Sequence, residues 1–345
     1  MYLHISLINF LSTFMNSLFH ARSFRTVSVK LLTMIVRGSV YYAFYVVLIL
    51  IFLSVLSLYF AVNLRGSKAK SPTKIIYKAA VDLLYDDIRI LCMIPYNYNY
   101  PSTVQYVKRT WGKHCNVLLF VSGNIDNELE PYVPEINGTD NWTLVHRGLI
   151  HAFKVYKDEV DWFLKVEDSS FVVIENLRHI INSKKLLPNA PIYFGHELEN
   201  TYTHKPFVFS KSGYVISHEG LRRYVDLDRN TKTTHCQHLE GFTEELELSR
   251  CLGRAGVITI DSLDDDENET FMPVQMNHHF LEGYDYINWL KDLAYHKVDT
   301  AKVPLSKRAI AFRVGYPPEI YDYYYFIYRV QLFGIPMQSS PKFSN

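Results

Sequence analysis

No aspartate or glutamate occurs before Asp82, although basic residues appear throughout that N-terminal stretch. The first eighty residues are therefore a different kind of chain from the rest. The sequence as a whole lacks charge imbalance: its formal net charge is +1 over 345 residues, which gives no footing for a nucleic-acid partner. It also lacks an internal repeat, a P-loop and a paired-glycine dinucleotide signature. Cysteine is scarce. The four present, Cys92, Cys115, Cys236 and Cys251, suffice for two bridges in an oxidising compartment, and spacing alone leaves three connectivities open. Aromatics are abundant, with 26 Tyr and 21 Phe, enough for a large core and for a cleft on which sugar rings stack. The length admits one large domain plus an anchor, or two modest domains.

The stretch Val40–Leu64, VYYAFYVVLILIFLSVLSLYFAVNL, carries no charged residue. It exceeds the roughly 20 residues that cross a bilayer core, and Tyr41, Tyr42, Tyr45 and Tyr59 lie towards its ends, as interfacial aromatics do. It is longer than the apolar core of a cleaved signal peptide. The sequence therefore predicts an uncleaved anchor, with 1–39 as a cytoplasmic tail and 65–87 as a stem. Basic residues flank both ends (Arg37 before, Arg65 and Lys68 after), so their count does not set the orientation. Three sequons, at Asn137, Asn141 and Asn268, all follow the span. They are N-glycosylation candidates only if that side is luminal. With the cysteines in the same region, they predict a single-pass type II protein of the Golgi or endoplasmic reticulum membrane.

The luminal part is organised around Asp161–Glu175, DWFLKVEDSSFVVIE. Trp162-Phe163-Leu164 reads as a short buried strand. It runs out into Glu167 and Asp168, where ligands bind at the carboxyl ends of an α/β sheet. Carboxylates there suit a divalent cation holding a diphosphate; a solvated acidic turn fits the same residues. Before this stretch come a strand from Ile88 to Ile94, a helix from Ser102 through Gly112, a strand at Asn116–Val121 and a helix at Trp142–Tyr156. After it come a helix to Asn182, a strand at Pro191–Gly195, a strand or turn at Gly213–Ser217, helices at Glu219–Val225 and from Glu244, and a strand at Val257–Ile260. That alternation predicts an α/β domain with a mostly parallel sheet over about 88–338, followed by a short tail, 339–345. The C-terminal part reads as aromatic and irregular. Asp264-Asp265-Asp266 reads as a solvated loop.

With these pieces in place the chain resembles the core 1 β1,3-galactosyltransferases of glycosyltransferase family 31, including their inactive, chaperone-like relative Cosmc. The resemblance rests on RILC (Arg89–Cys92), VKRTWGKHCN (Val107–Asn116), DWFLK (Asp161–Lys165), IENL (Ile174–Leu177), PIYFGH (Pro191–His196), SGYVIS (Ser212–Ser217), EELELSRC (Glu244–Cys251), NHHFLEGY (Asn277–Tyr284), AIAF (Ala309–Phe312) and YRVQLFG (Tyr328–Gly334), in that order and spacing. It implies a GT-A fold, a Rossmann-like mixed sheet, with UDP-galactose as donor and Mn²⁺ on the diphosphate. It further implies a GalNAc-bearing glycoprotein as acceptor, and Cys92–Cys115 and Cys236–Cys251 as the bridges.

Several positions depart from the family pattern. Three aspartates follow the WFLK strand in active members; here they are Glu167, Asp168 and Ser169. The family's metal-binding histidine matches Arg313, and a glycine pair is replaced by Ser210-Lys211. Arginine stays protonated and binds no cation, so Glu167 and Asp168 keep only a weakened metal site. Arg313 and Lys211 would supply positive charge to the diphosphate instead. Glu245, with Glu244 before it, matches the family's base, although acids also sit favourably at any helix N-terminus. His278, His279 and Tyr284 match an acceptor-side motif, and structural hydrogen bonds would explain the histidines equally. Two functions follow: a galactosyltransferase with an altered metal site, or a Cosmc-like protein that helps fold an active core 1 galactosyltransferase. A homodimer is the other partner the resemblance allows.

Overall fold

The computed structural model of the chain describes residues 46–59, 83–96, 101–123, 127–130, 133, 140–230, 236, 243–280, 285–296 and 305–331. The chain divides into two units, Met1–Lys70 and Ser71–Asn345. In the first, residues 46–59 form a helix with exposed side chains. Among the described residues no helix is long and apolar enough to cross a membrane. The rest of the expected span (40–45 and 60–64), the tail and most of the stem lie outside them.

The second unit alternates strands and helices. Ile90–Pro95 (β1) is buried at every position, the pattern of a strand covered on both faces. It is followed by the helix Pro101–Arg109 (α1), the strand Val117–Val121 (β2), the helix Asn141–Tyr156 (α2) and the strand Trp162–Lys165 (β3). Ser170–Val172 (β4) leads into the helix Ile174–Ser183 (α3), the strand Ile192–Gly195 (β5) and the hairpin Glu197–Glu199 (β6) with Pro206–Val208 (β7). Tyr214–Ser217 (β8), His218–Asn230 (α4), Glu244–Arg254 (α5) and Ile258–Thr259 (β9) come next. The chain then forms Phe271–Gln275 (β10), the helices Met276–Phe280 (α6) and Asp285–Leu293 (α7), Ala311–Arg313 (β11) and the helix Glu319–Tyr328 (α8).

The main sheet runs β2-β1-β3-β8-β5-β9. Only β8 opposes its neighbours; the other pairs are parallel. Successive side chains of a strand point to opposite faces, and the burial follows that rule. Ile90, Cys92, Ile94, Trp162, Leu164, Phe194 and Val215 join one core, which α1, α3 and a second sheet cover. Leu91, Met93, Phe163, Tyr193, Tyr214 and Ile216 join the other, under α2, α4 and α5. The second sheet, β10-β11-β4, carries the chain away from the end of β3, with β4 antiparallel to β11.

Two expectations are corrected and one open alternative is resolved. The first helix begins at Pro101, with Ser102 inside it, and stops at Arg109; Trp111–His114 is a 3₁₀ turn. The Thr110 hydroxyl bonds back to the Tyr106 carbonyl at 2.6 Å there, the kind of side-chain bond that competes with helix continuation. Of the two readings of Gly213–Ser217, strand or turn, the first holds: Tyr214–Ser217 is a strand in the middle of the sheet. The C-terminal part is regular among its described residues: α8 starts directly after Pro317-Pro318, suited to a helix's first turn, and its Ile320, Tyr323, Tyr324 and Tyr328 pack on the first core. Cys92–Cys115 and Cys236–Cys251 are the disulfides.

A buried carboxylate ties α8 to the front of the domain. Glu175 on α3 lies 2.5 Å from His114 Nδ1 and accepts the Tyr328 hydroxyl at 2.6 Å. Burial alone would push the Glu175 carboxyl up, but these two bonds outweigh it and hold it below the ordinary carboxylate range. Arg178, one turn on, donates to the carbonyls of Ile88 and His114 and to Asn116 Oδ1.

Candidate active site

The carboxyl ends of β1, β2, β3 and β5 and the start of the opposed β8 share one rim of the sheet, the position at which α/β folds bind ligands. Glu167, Asp168 and Ser169, each partly exposed, follow the buried Val166 in the four-residue crossing from the main sheet into β4. Arg313 ends β11 opposite Ser170, and the Val314 amide donates to the Ser169 carbonyl at 2.8 Å. This register sets the arginine beside the acids, although they are far apart in sequence. Asp168 accepts the Thr103 hydroxyl of α1 at 2.6 Å. Burial raises the Asp168 carboxyl above its usual range and the Glu167 charge adds to that; the Thr103 bond and the Arg313 charge oppose it.

Lys211 sits in a 3₁₀ turn, Ser210–Ser212, before β8. Its Nζ lies 2.9 Å from Glu167 Oε1. The turn reaches the acids because Gly213 follows it at φ +89°: a Cβ there would fall 2.3 Å from Val166 Cγ1 and 2.6 Å from the Lys165 carbonyl oxygen. Only glycine combines that backbone angle with so close an approach.

The two acids opening α5 have separate surroundings. Glu245 is partly exposed and accepts the Ser210 hydroxyl at 3.1 Å, which places it next to the Lys211 turn on the rim. Glu244 points into the protein. Its carboxylate meets Lys165 Nζ at 2.6 Å, the Tyr214 hydroxyl at 2.8 Å and Asn141 Nδ2 at 3.1 Å. The Lys165 and Glu244 side chains are each 1% exposed. Burial, followed by the Glu244 charge, lifts the Tyr214 phenol well above its ordinary range, so the hydroxyl stays a donor.

His278 and His279 lie on α6, directly after β10, and β10 packs against the Ser210–Ser212 turn. His279 faces His196, His278 and Glu269; burial, then the neighbouring histidines, lowers its pKa to about 4. His196, which follows β5 on the rim, has Nδ1 3.1 Å from Glu269 Oε2 without hydrogen-bond alignment. A histidine depressed from 6.5 to about 4 takes up its proton first in the unfolded chain. Its contribution is therefore present above the unfolded value and is lost as pH falls from about 6.5 to about 4. Denaturation of wild type and His279→Gln between pH 7 and pH 4 tests this: the variant should lose less stability over that range. Parallel loss in both proteins would refute the assignment. Tyr284 and Asn137 lie outside the described residues.

The rim does not fit a divalent cation of the Mn²⁺ type. Hard cations need several free oxygen ligands, yet Glu167 is already paired with an ammonium group, and Arg313, whose charge acts on Asp168, is a cation and no ligand. Among the described residues no group of three His, Cys, Asp or Glu side chains is arranged to hold a metal ion. Sequence reasoning gives no part in this region to Thr103, Lys165 or His196, and names Ser210 only as one of the two residues that replace a glycine pair. Lys165 alone carried a signal, as a charged residue closing an apolar strand.

No family model matches the chain. Among curated proteins it is similar to glycoprotein-N-acetylgalactosamine 3-beta-galactosyltransferase 1 of Xenopus laevis, 30% identical over 270 residues, covering 75% of this chain and 71% of the relative. Among solved structures, a glycosyltransferase involved in the glycosylation of the major capsid of PBCV-1 aligns at a TM-score of 0.37 and 10% identity, covering 69% of this chain and all of that one. A Drosophila β1,4-galactosyltransferase 7 mutant, in complex with manganese, UDP-Gal and xylobiose, aligns at 0.33 and 12%, covering 62% and 82%. Structural likeness at that level decides nothing, whereas the sequence identity and its coverage do: the chain belongs to the core 1 β1,3-galactosyltransferase family, a branch of glycosyltransferase family 31.

Proposed function

We propose that the protein transfers galactose from UDP-galactose to GalNAc on serine or threonine of a glycoprotein, on a GT-A-type fold, with side-chain cations at the diphosphate. The observation that carries this reading is the meeting of Lys211 and Arg313 with Glu167 and Asp168 on the rim. In the step itself the acceptor oxygen bonds to the anomeric carbon as its proton passes to Glu245. The bond from that carbon to UDP breaks, and the diphosphate leaves with the electron pair. Fixed positive groups at a leaving phosphate stabilise the developing charge, and a positioned carboxylate suits the base.

The charge-free stretch Val40–Leu64, the sequons after it and the two disulfides support a single-pass type II arrangement in the Golgi or endoplasmic reticulum. The second reading, a Cosmc-like protein that assists an active relative, draws on the same ion pair, since a neutralised carboxylate needs no metal. Transfer from UDP-galactose to a GalNAc-peptide by the full chain, with Mn²⁺ and with chelator, separates them. The proposal expects turnover that chelator leaves standing. UDP retained without turnover in either condition removes it in favour of the second reading.

A further inference from the structure

Asn141 heads a sequon, Asn141-Trp142-Thr143, and also opens α2, where Asp140 caps the helix by accepting the Thr143 amide at 2.9 Å. Its side chain turns towards α5. The amide nitrogen Nδ2, the atom to which a glycan would be joined, lies 3.1 Å from Glu244 Oε2. That oxygen also holds Lys165 Nζ, and the other oxygen holds the Tyr214 hydroxyl. A buried ion pair is tolerable only when the remaining lone pairs of the carboxylate find donors. Here three donors from three elements, β3, β8 and α2, converge on one carboxylate from a fourth, α5. The next residue in the sequon, Trp142, is 5% exposed and belongs to the second core, which fixes the first turn of α2 against the body of the domain.

We infer that Asn141 is a structural donor in the buried Lys165–Glu244–Tyr214 network and that its sequon carries no glycan in the folded protein. Asn141 is itself exposed, yet a sugar carbon replacing the amide hydrogen that faces Glu244 would press on a carboxylate only 1% exposed, and turning the amide outward to seat the sugar would take a donor from that carboxylate. The Asn268 sequon differs: its side-chain amide reaches the Asp264 carboxylate at 3.5 Å in a partly exposed turn.

Two measurements on the full chain, expressed in secretory cells, decide the point. Peptide mass spectrometry after enzymatic deglycosylation in heavy-oxygen water should find Asn141 unlabelled, and Thr143→Ala, which destroys the sequon but keeps the amide, should leave electrophoretic mobility and melting unchanged. Asn141→Asp should lower the melting temperature by about 5 °C. An acid in the first turn of a helix is ordinarily neutral or favourable, so that loss can come only from the Glu244 contact. A glycan on Asn141 in folded protein overturns the inference, and so does an Asn141→Asp variant that melts like wild type. Should no sequon be occupied, the melting comparison still decides.

Discussion

Lys165→Met lowers the stability of the protein by about 3–5 kcal/mol, because it strands the Glu244 charge in the interior. The lysine ends β3 and is 1% exposed, as is the glutamate 2.6 Å away. Removing one partner leaves a charge that neither water nor counter-ion reaches. Removing the pair is another matter, since apolar residues of similar volume often replace a buried ion pair at no loss. The double variant Lys165→Met, Glu244→Leu still deprives the buried Tyr214 hydroxyl of its acceptor, which costs about 1–3 kcal/mol; Asn141 lies at the surface and can turn to water. The triple variant that adds Tyr214→Phe should therefore return close to wild-type stability. Urea denaturation of the three proteins checks the order. A single variant as stable as the triple one would show that the pair is not isolated from solvent.

Glu245→Gln reduces turnover by about 100-fold or more, in line with the loss of a general base, while leaving UDP binding unchanged. Glutamine keeps an oxygen for the Ser210 hydroxyl, so the α5–turn contact survives and the lost function is proton acceptance alone. The readout is the split between kcat, which falls, and the dissociation constant for UDP, which does not. A variant that turns over as fast as wild type removes Glu245 from the mechanism and leaves the fold and the family untouched. Weakened UDP binding would instead assign the carboxylate to the donor side.

Much of this rim could be read from the sequence because its parts lie at the ends of strongly marked strands. The apolar runs of β1, β2, β3 and β5 announce themselves, and the acids after β3 fall where such runs end. The pairing of Arg313 with that locus came from the ordered motifs, and the β4–β11 register carries it. The partners of Lys165 were not legible: periodicity treats it as the last residue of a strand, and Glu244 lies 79 positions away. For α8 the difficulty was lack of contrast. YDYYYFIY is aromatic on every side, so no polar face marks the helical period, although only Ile320 within it is fully buried. At β8 strand and turn stayed equally open, since a four-residue strand opened by Gly213 looks locally like a turn.

The second sheet bears on how the molecule comes into being. The strand that pins the acidic crossing, β4, finds its hydrogen-bonding partner only at residues 311–313, and the Glu175 carboxylate waits for Tyr328. Chains emerge from the ribosome N-terminus first, so the half that carries β1 to β4 is synthesised long before the residues that complete it. A nascent chain halted anywhere before its last aromatic helix would carry the acids on an unanchored loop, and a premature stop even a few codons from the end of that helix should be handled by the cell as an unfinished protein.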